Sequence, residues 1–387
     1  MKLKNLFRLP LIVVMLSLPL AAQEDAGIAE SEDDGIVVDA NVVPDEGEGN
    51  ELNQKAELVT PETRVFVMET GKPENGEMAV RLQIYLDQKL FGPGFIDGKP
   101  GRFTRKAVYA YNRSKGRPPG DWGAIMEEVR TQLGETYATA IVPDIAKEFV
   151  NPKVPTKREE QAKLKQMSYR SYLEFMAERY HTSEDFLIEL NGKKTAYNLA
   201  PRKAVTVPNI DPFRIELLKE GRLNHGSEEF KDRTVIIDTK GKQLFVYEPG
   251  EAPVHAGGAL IVAEDDAEED TPQKLIAALP ITPGQSQFIH RGEWAIANSV
   301  ELPSWRYDKQ LLETGKRGKE ALQIPPGPNN PVGIIWNGLT KSGIGIHGSS
   351  SPRTIGRSRS AGCIRLSNWD AARFPTLARP GVKVVVR

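Results

Sequence analysis

The sequence predicts a multidomain protein, with small helical and α+β units followed by a mainly antiparallel β domain over residues 231–387. Three observations carry that prediction. A length of 387 residues is more than one core usually fills and suggests two or three domains. Apolar residues recur at helical spacing before Phe230 and gather into short β-rich runs after it. Proline- and charge-rich stretches separate the periodic segments, notably Pro143, Pro152 and Pro155 with the run Lys157 to Lys165. The expected divisions are residues 1–22, 23–69, 70–134, 168–209 and 231–387.

Residues 1–22 read as an export signal. Lys2, Lys4 and Arg8 precede an apolar run from Leu9 to Leu20 that ends in Ala21-Ala22. The run is short for a membrane span of about 20 residues. Leu20 stands where a cleavage site prefers a small residue, so retention as a membrane anchor is the alternative. No cysteine follows the run, which argues against a lipid-modified one. Residues 23–69 are rich in Asp and Glu between Glu24 and Glu57 and poor in aromatics, the composition of a solvated, disordered spacer. The formal net charge of −1 offers no basic surplus for phosphates and argues against a nucleic-acid partner.

In the segment 70–134, Met78, Leu82, Tyr85, Leu86 and Leu90 form one helix face. A turn-rich stretch, Gly92-Pro93-Gly94-Phe95-Ile96-Asp97-Gly98, leads to Thr104 as the expected cap of a second helix bearing Ala107, Val108 and Tyr111. In the segment 168–209, Tyr172, Phe175, Met176 and Tyr180 suit one helix. Thr182 or Ser183 can cap another that ends at Asn191-Gly192, and Ala204 to Pro208 reads as a strand. Beyond Phe230, Thr234–Asp238 and Gln243–Tyr247 flank Thr239-Lys240-Gly241-Lys242, a hairpin with Gly241 for the strained turn position. Further strands are expected at Val332–Trp336, Gly343–Ile346 and Val382–Val386, with a helix from Asn368 to Leu377. Glu264 to Asp270 reads as a solvated acidic loop.

Cys363 is the sole cysteine. An exported chain rarely keeps an unpaired thiol without a use, and two readings stand: a nucleophile, or a small buried hydrophobe. A nucleophile acts as thiolate and needs a base. Of five histidines, His347 ends an apolar strand and adjoins Gly348, where a scaffold presents reactive side chains. Gly362 removes side-chain bulk so that backbone N–H groups can converge on a developing oxyanion. In an extended segment Arg365 points to the same face as Cys363 and supplies positive charge for an anionic substrate. Arg353, Arg357 and Arg359 add a basic rim, or are ordinary solvated arginines. One cysteine and the absence of a His-x-x-x-His pair give no metal set, so no metal or cofactor is expected.

The stretch Ile346 to Leu366, with His347-Gly348 followed by Ser360-Ala361-Gly362-Cys363-Ile364-Arg365, resembles the signature of the L,D-transpeptidase catalytic domain of YkuD type. Pro325 to Gly333 is similar to its proline-rich approach. The resemblance runs over roughly Arg233 to Arg387 and implies a β-sandwich fold with Cys363 as nucleophile, His347 as base and Ser360 orienting the histidine. It places Gly348, Ala361 and Gly362 around the oxyanion and Arg365 at the substrate. Many members carry a second histidine where Ala361 stands. Many also carry Thr-Pro-x-Gly ahead of the domain's middle, a place taken here by Arg291-Gly292-Glu293-Trp294, with Thr282-Pro283-Gly284 nearby.

Upstream, Leu82-Gln83, Ile96-Asp97-Gly98, Gly101-x-Phe103-Thr104 and Ala107 resemble the small helical peptidoglycan-binding domain. Residues 168–209 resemble a LysM glycan-binding module lacking its usual opening strand; a simple helical spacer is the alternative. The resemblances imply partners in peptidoglycan stem peptides and glycan strands, with a periplasmic or wall-associated location. The implied reaction is attack of Cys363 on the carbonyl after the third residue's L-centre, release of D-alanine, and transfer of the thioester to an amine. A wall-anchored protein is a possible acceptor, water would make the enzyme a carboxypeptidase, and carbapenems are expected to acylate Cys363. The competing readings are a sortase-like acyltransferase, whose arginine lies well beyond its cysteine, and a non-catalytic wall-binding protein.

Overall fold

The computed structural model describes residues 71–250, 273–284, 289–308, 310, 319–358 and 362–387. The expected export signal, acidic spacer and acidic loop, with Arg359, Ser360 and Ala361, lie outside the described residues. No helix among the described residues is long and apolar enough to cross a membrane.

The chain begins with three helices, α1 (Glu77–Gln88), α2 (Arg102–Ser114) and α3 (Trp122–Gln132). Leu82, Tyr85, Leu86, Val108, Tyr111, Trp122 and Ile125 form their common core. Gln83 ties the turn between α1 and α2: its Oε1 accepts from the N–H groups of Asp97 and Gly98, and its Nε2 donates to Asp97 and Thr104. Thr104 is therefore a buried residue inside α2, not its cap. The helix starts at Arg102 after Gly101, with no side-chain cap.

Two short helices, α4 (Ala146–Phe149) and α5 (Arg158–Gln161), lie in an insertion within the next unit. That unit comprises β1 (Tyr137–Ile141), α6 (Tyr172–Arg179), α7 (Glu184–Tyr197) and β2 (Ala204–Pro208). Antiparallel β1 and β2 pair Tyr137 with Pro208 and Ile141 with Ala204. An opening strand thus exists; it lies upstream of the expected boundary at residue 168, across a long insertion. Ser183 caps α7 by accepting from the Phe186 N–H. Asn191-Gly192 kinks α7, Gly192 having φ of 75°, rather than closing it, and Asn191 clamps the β2 backbone at Thr206.

Strands β3 (Thr234–Asp238) and β4 (Gln243–Pro249) form the expected hairpin. Its positive φ falls on Lys242, at 54°, and not on Gly241. Gly241 is needed instead because its N–H donates to Asp238 at 2.6 Å, where a side chain would overlap the carboxylate. The remaining strands are β5 (Gln273–Pro280), β6 (Gly292–Glu301), β7 (Trp305–Tyr307), β8 (Leu322–Ile324), β9 (Ile335–Leu339), β10 (Gly345–His347), β11 (Ile364–Arg365) and β12 (Lys383–Val386). Helix α8 (Asn368–Arg373) continues into a 3₁₀ turn at Phe374–Thr376. Eight strands make one sheet in the order β11-β10-β9-β6-β12-β3-β4-β5. It is mainly antiparallel, as expected, but mixed, because β3 runs parallel to β12 and β10 parallel to β11.

The sheet curls until its ends meet. Thr282, just past β5, exchanges both backbone hydrogen bonds with Arg365 of β11 at 2.9 Å. The outer edge of β5 is taken by the helical unit, where Gly92 and Leu90 bond both polar groups of Ala278. The core is shared as well: one apolar cluster runs from Val142, Phe175, Met176 and Leu187 of the βααβ unit into Ile237, Ile346 and Phe374.

Candidate active site

Strand pairing places the chemistry. In the parallel β10–β11 register Ile346 opposes Ile364 and His347 opposes Arg365. Side chains alternate along a strand, so Cys363, two residues before Arg365, shares its face and that of His347. Trp336, across β9, opposes His347, and their rings stack at 5.5 Å between centroids. A Cβ at Gly345 would overlap this indole, so glycine there lets Trp336 lie over β10. Ile364 and Leu366 point the other way, into the core.

Cys363 is 7 % exposed and His347 is 3 % exposed. The thiol S–H donates to the Gly343 carbonyl at 3.6 Å. Burial pushes the thiol up to about 11, slightly opposed by a backbone hydrogen bond from Gly345. Burial pulls the His347 ring down to about 4, against the opposing pull of the Gly348 and Val332 carbonyls. The resting pair is therefore neutral thiol and neutral imidazole, not an ion pair. His347 Nδ1 lies 2.6 Å from the Gly348 carbonyl. With Nδ1–H donating there, Nε2 carries the lone pair and is the basic nitrogen. Burial lowers Arg365 to about 10, which leaves it cationic at neutral pH.

Gly362 has φ of 134°, a conformation that glycine adopts at least cost. Its backbone is met by Gly284, where an added Cβ would lie 2.6 Å from the Gly362 Cα. Thr282-Pro283-Gly284 is thus the run that reaches the backbone beside Cys363. Gly292, Glu293 and Trp294 instead belong to β6, paired with Val386, Val385 and Val384 of β12. The Thr-Pro-Gly run, noted in the sequence as lying nearby, continues β5 directly to the backbone beside Cys363.

The other site residues divide. Gly348 is in place, its carbonyl on His347 and its Cα so close to Asn368 that a Cβ would overlap the amide oxygen. Arg353 pairs with Asp185 of α7 at 2.7 Å. Arg357 lines a cavity of about 110 Å³ between the helical unit and the β domain, bordered by Phe103, Trp369 and Asp370 but not by Cys363, His347 or Arg365. These two arginines face the upstream units and do not form a rim for the thiol.

The wall opposite Cys363 comes partly from outside the β domain. Val154 and Met167 join Trp305, Ile324, Val332, Trp336 and Cys363 in one apolar cluster. The proline-rich approach is clasped from the same side. Met167 N–H donates to Pro326 at 2.7 Å, and Asn329 Nδ2 donates to Ser168 and Glu174. No group of three or more His, Cys, Asp or Glu that could hold a metal occurs among the described residues.

Residues 232–386 match the family model of YkuD, the L,D-transpeptidase catalytic domain. This C-terminal region is therefore similar in sequence to an L,D-transpeptidase catalytic domain. A putative L,D-transpeptidase YkuD of Bacillus licheniformis is 38% identical over 78 residues, 20% of this chain and 47% of that protein. A putative L,D-transpeptidase from the ATP synthase subunits region of Fuscovulum blasticum is 34% identical over 104 residues, 27% of this chain and 53% of that one. The chain thus spans about half the length of these curated relatives. Among solved structures, an L,D-transpeptidase of Xylanimonas cellulosilytica aligns at 13% identity and a TM-score of 0.30, covering 81% of this chain and 97% of that one.

Proposed function

We propose that the protein is a peptidoglycan L,D-transpeptidase exported through its N-terminal signal, with Cys363 as nucleophile and His347 as base. The observation that carries this reading is the β10–β11 register, which sets His347, Arg365 and Cys363 on one face beneath Trp336. In the first step the thiol proton passes to His347 Nε2 while sulfur bonds to the substrate carbonyl carbon, and its electron pair moves onto oxygen. Backbone N–H groups around Gly362 receive that charge, which grows in a dry site where such donors act strongly. The oxyanion then collapses, the bond to D-alanine breaks, and His347 returns its proton to the leaving amine. The thioester next accepts the amine of a neighbouring stem through the same sequence in reverse, and the thiol is restored. Arg365 holds a substrate carboxylate. The α1–α3 unit and the βααβ unit hold the wall polymer.

Because resting thiol and imidazole are both neutral, proton transfer has to accompany attack, and His347 speeds it as general base. Intact-mass measurement after incubation with a carbapenem tests the proposal. The wild type gains one adduct, Cys363→Ala gains none, and His347→Ala acylates about 10²- to 10⁴-fold more slowly. A folded wild type that gains no adduct, or purified Cys363→Ala that still transfers muropeptides, sinks the reading.

A further inference from the structure

We infer that Glu178, on α6 of the upstream βααβ unit, is a positioning residue for His347, acting through Asn368 and the Gly348–Ser349 backbone; this rests on His347 being the base. Asn368 Nδ2 donates to both carboxylate oxygens of Glu178 at 3.1 Å and to the Pro328 carbonyl at 3.2 Å. These bonds fix the amide's orientation, so Oδ1 faces the chain after β10. There it accepts from the Ser349 N–H at 3.1 Å. Gly348 and Gly333 are both so close to that oxygen that a Cβ on either would overlap it. Ser349 N–H and the Gly348 carbonyl belong to the same peptide group. The carbonyl is the one that His347 Nδ1 contacts at 2.6 Å. Rotation of this peptide would therefore release the imidazole and free it to change tautomer.

Glu178 is itself held on its far side, where Tyr169 donates its hydroxyl to Oε1 at 2.6 Å. Tyr169, Glu178 and Asn368 are all buried, so no water competes for these bonds. A carboxyl and a tyrosine sealed between two units, with bonds passing to the peptide behind the base, do more than packing requires. Burial raises the Glu178 carboxyl to about 8, with Glu174 adding to the rise, although Tyr169 and Asn368 oppose it. Glutamine, whose amide oxygen can still accept from Asn368, is the conservative substitute.

The test uses the full chain, with Glu178→Gln and Glu178→Ala compared with wild type. In the first arm, carbapenem acylation of Cys363 is resolved into the affinity of the initial complex and the rate of bond formation. Glu178→Ala should lower the rate roughly ten- to a hundredfold while leaving affinity within about twofold, the signature of a displaced base. Glu178→Gln, which keeps an acceptor for Asn368, should recover most of it. In the second arm, ¹⁵N-histidine labelling follows the His347 Nδ1–H signal, which should be protected in wild type and lost to exchange in Glu178→Ala. That arm is read whether or not the thiol acylates. A wild type that fails to acylate therefore removes the transpeptidase reading, while the histidine signal still judges the positioning. An unchanged histidine signal in folded Glu178→Ala, or a rate equal to wild type, overturns the inference. So does a loss of affinity and rate in parallel.

Discussion

At the residue scale, the Cys363 thiol and the His347 imidazole are both kept out of water. Cys363 rests at about 11 and His347 at about 4, both displaced chiefly by burial, so the gap between them favours the uncharged pair. The direction sets a pH dependence. Simple alkylation of Cys363 by iodoacetamide, which needs thiolate but no substrate, should climb steadily between about pH 6 and 9 without a plateau. A plateau beginning below neutrality would mean a thiolate–imidazolium pair and contradict the buried neutral site. Burial in an apolar cluster does not decide between the nucleophile and the buried hydrophobe offered by the sequence. Cys363 belongs to an apolar cluster and faces the imidazole's strand at once. His347, Gly362 and Arg365 were legible because their spacing around one strand pair is local. Gly284 was obscure because its role depends on a contact with Gly362, 78 positions away in sequence.

At the scale of elements, α1, α6 and α8 meet at a buried polar junction. Asp87 of α1 receives Arg373 of α8 at 2.6 Å and His181, which follows α6, at 3.0 Å, while Trp369 stacks on His181 at 5.5 Å. Burial alone would raise the Asp87 carboxyl; Arg373 and His181 outweigh it and hold the group well below the usual carboxylate range. A depressed carboxylate stabilises above the pKa it has in the unfolded chain, near 4, and that contribution fades as pH falls below it. Asp87→Asn should cost about 3–5 kcal/mol at neutral pH, because it breaks a buried pair and leaves Arg373 with the more distant Asp370, at 4.0 Å, as counter-charge. Urea denaturation of the full chain measures this, and the variant should lose less stability than wild type on acidification to about pH 3. Helix periodicity revealed α1, α2, α6 and α7 individually. It could not reveal their junctions, since buried Asp87, His181 and Glu178 look like ordinary polar residues when read one at a time.

At the scale of the whole molecule, the units divided in the sequence share surfaces that each needs. The α1–α3 unit covers the outer edge of β5 with the bonds of Leu90 and Gly92 to Ala278, and α2 packs on Phe245, Leu275 and Ala278. Removing that cover would bare an apolar edge strand, a template for pairing between chains. A fragment beginning near residue 230 should accordingly self-associate in size-exclusion chromatography, whereas the chain from residue 71 onward should elute as a single species. A monodisperse, fully active fragment would show the cover to be dispensable. The fold class was legible because β-rich runs follow helical ones. The mixed strand order was not, because hydrophobic alternation is the same for parallel and antiparallel neighbours.

The closure of the sheet through Thr282 and Arg365 also bears on when the protein becomes reactive. β3 and β12 come from opposite ends of the C-terminal region, and the two-residue strand β11 is held between β10 and the chain beyond β5. Such distant pairings form late, since loop entropy must be overcome before they add stability. Until they form, Cys363 has no fixed neighbour, and His347 has no register that brings it alongside. A nascent or unfolded chain thus lacks the pairing of Cys363 with His347, which is assembled only when the last strands of the sheet close.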